Sequence, residues 1–120
     1  MLLLDTNIIL RFILNDHPTL SVKAKKLVLS KKFYLDQLVI AECIWVLLKV
    51  YNHDKSNVVK YMDSFCKNPL AYNPNKKFIN SVMQFFRSHN FSYIDCYLHC
   101  LSQAKDISLA TFDTKLSKLK

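Results

Sequence analysis

The apolar positions change their period along the chain, and each change marks an element. Residues 2–4 are an unbroken apolar triplet that predicts a short buried strand ending at Asp5. Thr6 is placed to cap a helix over 7–14, which stops at Asn15 ahead of His17-Pro18. Residues 19–30 predict a second helix, with Leu20, Ala24, Leu27 and Val28 on one face and Lys23, Lys25 and Lys26 mostly on the other. A second strand is expected over 33–35. Asp36 then caps a helix over 38–51 that is apolar on nearly every side, the pattern of a buried helix.

Residues 54–67 predict a fourth helix with Val58, Val59, Met62, Phe65 and Cys66 inward, followed by a brief strand over 70–72. A fifth helix over 75–88 carries Phe78, Val82, Phe85 and Phe86, and a sixth covers 93–105. A strand over 108–112 and a turn of helix over 114–120 complete the pattern. Strands alternating with helices imply an α/β domain, a short central parallel sheet flanked by helices in three layers. With 120 residues and no linker, repeat or low-complexity segment, one domain over 1–120 is expected.

Composition narrows the chemistry. The chain has no glycine, which removes the phosphate-binding glycine loop, the dinucleotide-binding turn and the strained nucleophile elbow of serine hydrolases. Left-handed turn positions then fall to asparagine, and Asn15, Asn52, Asn68 and Asn90 each stand where a helical pattern stops. No apolar run is long enough to span a membrane, and Asp5 and Arg11 interrupt the apolar start, so a cytoplasmic protein is expected. The four cysteines lie among apolar neighbours and form no CxxC pair, which reads as free buried thiols. Cys96, His99 and Cys100 share one helical turn without a partner cluster, a poor zinc site. A net charge of +8 suits a polyanion, with nucleic acid foremost.

The nine acids divide into two groups. Asp16, Asp36, Asp54, Asp63 and Asp106 fall at caps, loop edges or a polar helix face, where capping or solvation explains them. Asp5 and Asp113 instead end predicted strands, and ligands of parallel α/β sheets bind beyond such ends. Asp95 lies in the first turn of an apolar helix. Glu42, the only glutamate, sits inside Leu-Val-Ile-Ala-Glu-Cys-Ile-Trp-Val. Gathered together, four carboxylates must bind a cation, share protons or pair with basic residues, with Lys49 a possible partner for Glu42. Oxygen donors without adjacent histidine or cysteine ligands favour Mg2+ or Mn2+ over zinc. Asn7 and Thr111 lie two positions from Asp5 and Asp113 and are candidates to support them by hydrogen bonds. Trp45 and the phenylalanines at helical spacing read as core, and His99 as a core histidine.

In this order the four acids resemble the PIN-domain family of metal-dependent nucleases, and within it the VapC-type toxins of bacterial toxin–antitoxin pairs. Leu4-Asp5-Thr6-Asn7 matches the first motif, Ile40-Ala41-Glu42 the second, Ile94-Asp95-Cys96 the third and Thr111-Phe112-Asp113 the fourth. The resemblance implies an endoribonuclease that hydrolyses RNA phosphodiesters with Mg2+ held by Asp5, Glu42, Asp95 and Asp113, with Mn2+ as a substitute. It also implies a homodimer and a cognate antitoxin partner. Arg11 and the lysines of 23–32 are candidates for the RNA backbone. Two departures stand out. Ser92 occupies a position where the family often has an additional acid, and the sequence stops at Lys120 where the family commonly continues into a final strand. A degenerate PIN domain that binds RNA or protein is the alternative. A haloacid-dehalogenase-like enzyme would want an acid where Asn7 stands, and a receiver-like domain would want paired early acids and a late lysine.

Overall fold

The computed structural model describes residues 1–119. The chain divides into two compact units, Met1–Lys76 and Lys77–Lys120. The first holds the sheet: β1 (Leu2–Leu3), β2 (Phe33–Tyr34) and β3 (Ala71–Tyr72), parallel and in the order β1-β2-β3. Leu2 pairs with Phe33 and Phe33 with Ala71; Leu3, Tyr34 and Tyr72 form the next row. Parallel neighbours need a crossover between them. Here α1 (Thr6–Leu14) and α2 (Leu20–Ser30) join the first pair, and α3 (Gln37–Lys49) and α4 (Lys55–Cys66) join the second. The α/β class expected from the alternation is what the chain adopts.

Alternation along the strands builds the core of this unit. Leu4, Phe33, Leu35 and Ala71 point inward, and Phe33 stacks on Phe65 of α4 with ring centroids 5.2 Å apart. Ile40, Cys43, Ile44 and Leu47 are the inward stripe of α3. Val58, Val59, Met62, Phe65 and Cys66 of α4 are buried as their spacing predicts. Asp36 caps α3 by accepting from the Leu38 and Val39 amides, and Asp54 caps α4 by accepting from Asn57. Each such cap contributes about 1 kcal/mol.

The second unit contains most of α5 (Lys76–Ser88), then α6 (Tyr93–Lys105) and α7 (Thr114–Ser117). Ile79, Val82, Met83 and Phe86 are the buried stripe of α5, and Phe85 is half-buried. Phe85 stacks on both His89 and the buried His99, at 3.8 Å and 4.7 Å between centroids.

Several expectations are corrected. Residues 108–112 form no strand; Ser108, Ala110 and Phe112 are exposed. An apolar run supplies a reason for burial, but a strand also requires a ladder partner, and that run has none among the described residues. The α3 helix is not buried all round: Leu38 is 78% and Trp45 58% exposed, so Trp45 is not core. The first helix is capped by Asp5, not Thr6. Asn15 and Asn52 do take left-handed backbone (φ 48° and 55°), but Asp106 (φ 53°) is the third such residue, not Asn68 or Asn90. Asn68 instead closes a local turn, its side chain accepting from the Leu70 amide at 2.9 Å. At the end of α5 the hydroxyl of Ser88 and the ring of His89 meet the last carbonyls, so no left-handed cap is needed. Lys120, the last residue of the final predicted turn, lies outside the described residues.

Candidate metal centre

Asp5 follows β1, and its extended backbone (φ −81°, ψ 170°) turns the chain into α1. Its Oδ1 accepts the Ile8 amide at 3.1 Å, so the carboxylate sits at the positive end of the helix with Oδ2 left over. Thr6, the first residue of α1, donates its hydroxyl to Oε1 of Glu42. That bond links the strand end to the middle of α3 and brings two acidic residues of the first unit to one place. Both carboxylates are exposed, which corrects the expectation that Glu42 is embedded in apolar surroundings. On α3 it lies four residues after the exposed Leu38 and three before the exposed Trp45, on the same outward stripe.

The side of α3 next to Glu42 is different. Cys43 is fully buried, and its thiol is pushed up to about 12, first by burial and then by the charge of Glu42, with Cys66 and Asp5 adding to it and a hydrogen bond from Thr6 opposing. Neither Asp5 nor Glu42 is ion-paired with a basic side chain among the described residues, and Lys49 makes no ion pair there; Arg11 pairs with Asp16 at 2.7 Å. Arg11 is further occupied by a 3.0 Å bond to the Tyr51 hydroxyl, so it is tied into the fold.

Asp95 and Asp113 belong to the second unit. Asp95 occupies the first turn of α6, where its amide donates to the Ser92 hydroxyl at 3.1 Å; its half-exposed carboxylate has no hydrogen bond or ion pair among the described residues. Ser92 is thus the cap of that helix. Asp113 does not end a strand. It caps α7, Oδ1 accepting from Lys115 and Leu116 at 2.9 Å and 3.0 Å. The Thr111 hydroxyl accepts the backbone amide of Asp113 at 3.1 Å and does not touch its carboxylate. Asn7 is exposed and its side chain makes no hydrogen bond among the described residues; the connecting hydroxyl at this end is that of Thr6. The sequence signal for Thr6 is its place directly after Asp5, which capping explains equally well.

Every donor in this set is a hard carboxylate oxygen, which suits a magnesium-like ion. Among the described residues no group of three or more His, Cys, Asp or Glu side chains gathers to hold one. Magnesium is commonly held by one or two carboxylates, with water and substrate phosphate completing the shell, and the Asp5–Glu42 pair fits that demand. The free cysteines are Cys43, Cys66 and Cys96, all buried, and the half-buried Cys100. No helix among the described residues is long and apolar enough to cross a membrane.

Comparison with curated proteins found no similar protein, and comparison with solved structures found no similar structure. A family model described as the PIN domain matches residues 2–120. With that match across nearly its whole length, on a parallel α/β sheet that delivers an acid at its first strand end, the chain belongs to the PIN-domain family, whose members are generally metal-dependent nucleases.

Proposed function

We propose that this chain is a Mg2+-dependent endoribonuclease, with Mn2+ as a substitute, and that Asp5, Glu42, Asp95 and Asp113 hold the metal. The observation that carries the reading is the Thr6–Glu42 bond beside Asp5: two exposed carboxylates, neither ion-paired among the described residues, on a chain whose net charge is +8. Solvent-facing acids need no cation to be tolerated, so their value lies in the oxygens they offer. Asp5 keeps Oδ2 and Glu42 keeps Oε2 after their hydrogen bonds are met. Thr6 fixes which way Glu42 turns, and the α1 amide fixes Asp5. A metal bound there supplies an acidified water and positive charge against the phosphate oxygens. The exposed Lys23, Lys25 and Lys26 supply non-specific attraction for the RNA backbone. Asn7 and Thr111 flank the two acidic segments as candidates to support the carboxylates, and the Thr111 hydroxyl already accepts the Asp113 amide.

In this reading the chain acts as one domain over 1–120, in the cytoplasm, as a homodimer. It is the toxin of a toxin–antitoxin pair whose antitoxin covers the acids. The test is cleavage of structured RNA in Mg2+ or Mn2+ by the parent and by Asp5→Asn. Equal cleavage by both overturns the assignment. A second reading, a degenerate PIN domain that binds RNA or protein, draws on Ser92, which caps α6 at a position where the family often has an additional acid. Intact RNA binding by a parent that cleaves nothing decides for it.

A further inference from the structure

One face of the sheet in the first unit is not used by its core. Along β2 the buried Phe33 and Leu35 alternate with the exposed Lys32 and Tyr34. In the first strand Leu3 is 74% exposed and Leu4 is buried, and Asp5, which follows with extended backbone, is exposed again. The register sets Leu3, Tyr34 and Tyr72 in one row across the three strands. Tyr34 and Tyr72 are 37% and 39% exposed with ring centroids 6.3 Å apart, and the Lys32 ammonium lies 4.7 Å from the centroid of Tyr72.

We propose that Tyr34, Tyr72 and Lys32 form a base-stacking subsite for single-stranded RNA, on the face of the sheet that leads past Leu3 to Asp5. Aromatic rings on a sheet stack unpaired bases, and an adjacent cation takes the phosphate. The chemistry of the patch selects this occupant over a protein surface. Lys31 and Lys32 are exposed and have no ion pair among the described residues, and the chain is strongly basic. A protein partner would desolvate the Lys32 ammonium at the centre of the contact, where charged residues are depleted. RNA brings a phosphate to meet it. Only the choice of RNA as ligand rests on the nuclease reading.

The test is fluorescence anisotropy in EDTA with two labelled single-stranded probes, an oligoadenylate and an abasic oligonucleotide of the same length. Tyr34→Ala with Tyr72→Ala weakens oligoadenylate binding about tenfold or more, a base–aromatic stack's worth, and leaves the abasic probe unchanged. The double phenylalanine variant binds as the parent does, and Lys32→Ala weakens both probes. Equal losses on both probes, or no loss on either, overturn the subsite. So does a parent dimer that the alanine variant turns into monomer in sedimentation while RNA affinity stays the same. Should the double alanine variant misfold by circular dichroism, Tyr34→Leu carries the same comparison. Because the assay is metal-free, a parent that binds through this face and cleaves no RNA overturns the nuclease reading and leaves the subsite standing.

Discussion

Asp5 has two duties that substitution can separate. Its Oδ1 caps α1 through the Ile8 amide, and its charge, beside Glu42, is proposed to hold a metal. Asparagine caps a helix about as well as aspartate, so Asp5→Asn keeps the cap and removes the charge. Alanine removes both, and a lost cap of this kind costs about 1 kcal/mol. For a chain of 120 residues the unfolding entropy is about 0.25 kcal/mol/K, so that loss lowers Tm by about 4 °C. The expected thermal melts are therefore parent and Asp5→Asn together, with Asp5→Ala lower. Removing one of two neighbouring like charges does not lower stability in metal-free buffer. RNA cleavage follows a different order: both variants fall by at least about 100-fold, since loss of even an outer-shell partner costs 10–100-fold. Added Mg2+ raises Tm only for the parent; saturation at about 100 times Kd contributes about 2.7 kcal/mol, or about 10 °C. An asparagine variant that melts with the alanine one refutes the capping argument. An asparagine variant that cleaves RNA, or is stabilised by Mg2+ like the parent, refutes the metal argument.

Thr6→Val, which removes the hydroxyl donated to Glu42, lowers cleavage by about 10–100-fold, and Thr6→Ser restores it; equal rates for Val and Ser show that the hydroxyl has no positioning role. Burial, assisted by the charge of His89, lowers the His99 pKa below its ordinary 6.5, so the unfolded chain takes up the proton first. Stability is full above pH 6.5 and is lost as pH falls from there towards the folded pKa; His99→Phe, which keeps a ring against Phe85, flattens that slope in melts between about pH 7.5 and 5.5. An unchanged slope refutes the assignment. Burial pushes the Cys43 and Cys66 thiols up to about 12, so at pH 8 an aromatic disulfide reagent labels the half-buried Cys100 first and reaches the other two only after denaturation. Rapid labelling of Cys43 in the folded protein would contradict this. Trp45 is the only tryptophan and faces outward, so emission matches indole in water and acrylamide quenches it; a strongly blue-shifted spectrum contradicts the outward face of α3.

Local chemistry explains which features are legible in the sequence. Asp36 and Asp54 ahead of apolar periodic runs read as caps and are caps, because the signal and the bond both lie within a few residues. Asn15 and Asn52 are readable as left-handed positions because a chain without glycine has few residues that tolerate that backbone. The alternation of short apolar runs with helical repeats is enough for the α/β class. Periodicity is less informative for α3, whose apolar side chains surround it: Ile40 and Ile44 go inward and Leu38 and Trp45 outward, and composition does not distinguish them. Residues 108–112 carry the apolar pattern of a strand without a ladder partner among the described residues.

The four carboxylates illustrate the same division. Sequence alone singled out Asp5, Glu42, Asp95 and Asp113, since each departs from the polar setting that explains the other acids. It also determined the helix starts at Asp36 and Asp54, the strand segments of the first unit and the basic character of the chain, all of which depend on near neighbours or on simple sums. Only the tertiary structure decided that Glu42 is exposed, that the hydroxyl of Thr6 reaches it across 36 positions, and that Tyr34 and Tyr72 share a row. The reason is physical. A cap or a turn is settled by bonds between residues close in sequence, whereas a strand register or a hydroxyl-to-carboxylate contact depends on which distant elements pack together, and that choice belongs to the burial of the whole core.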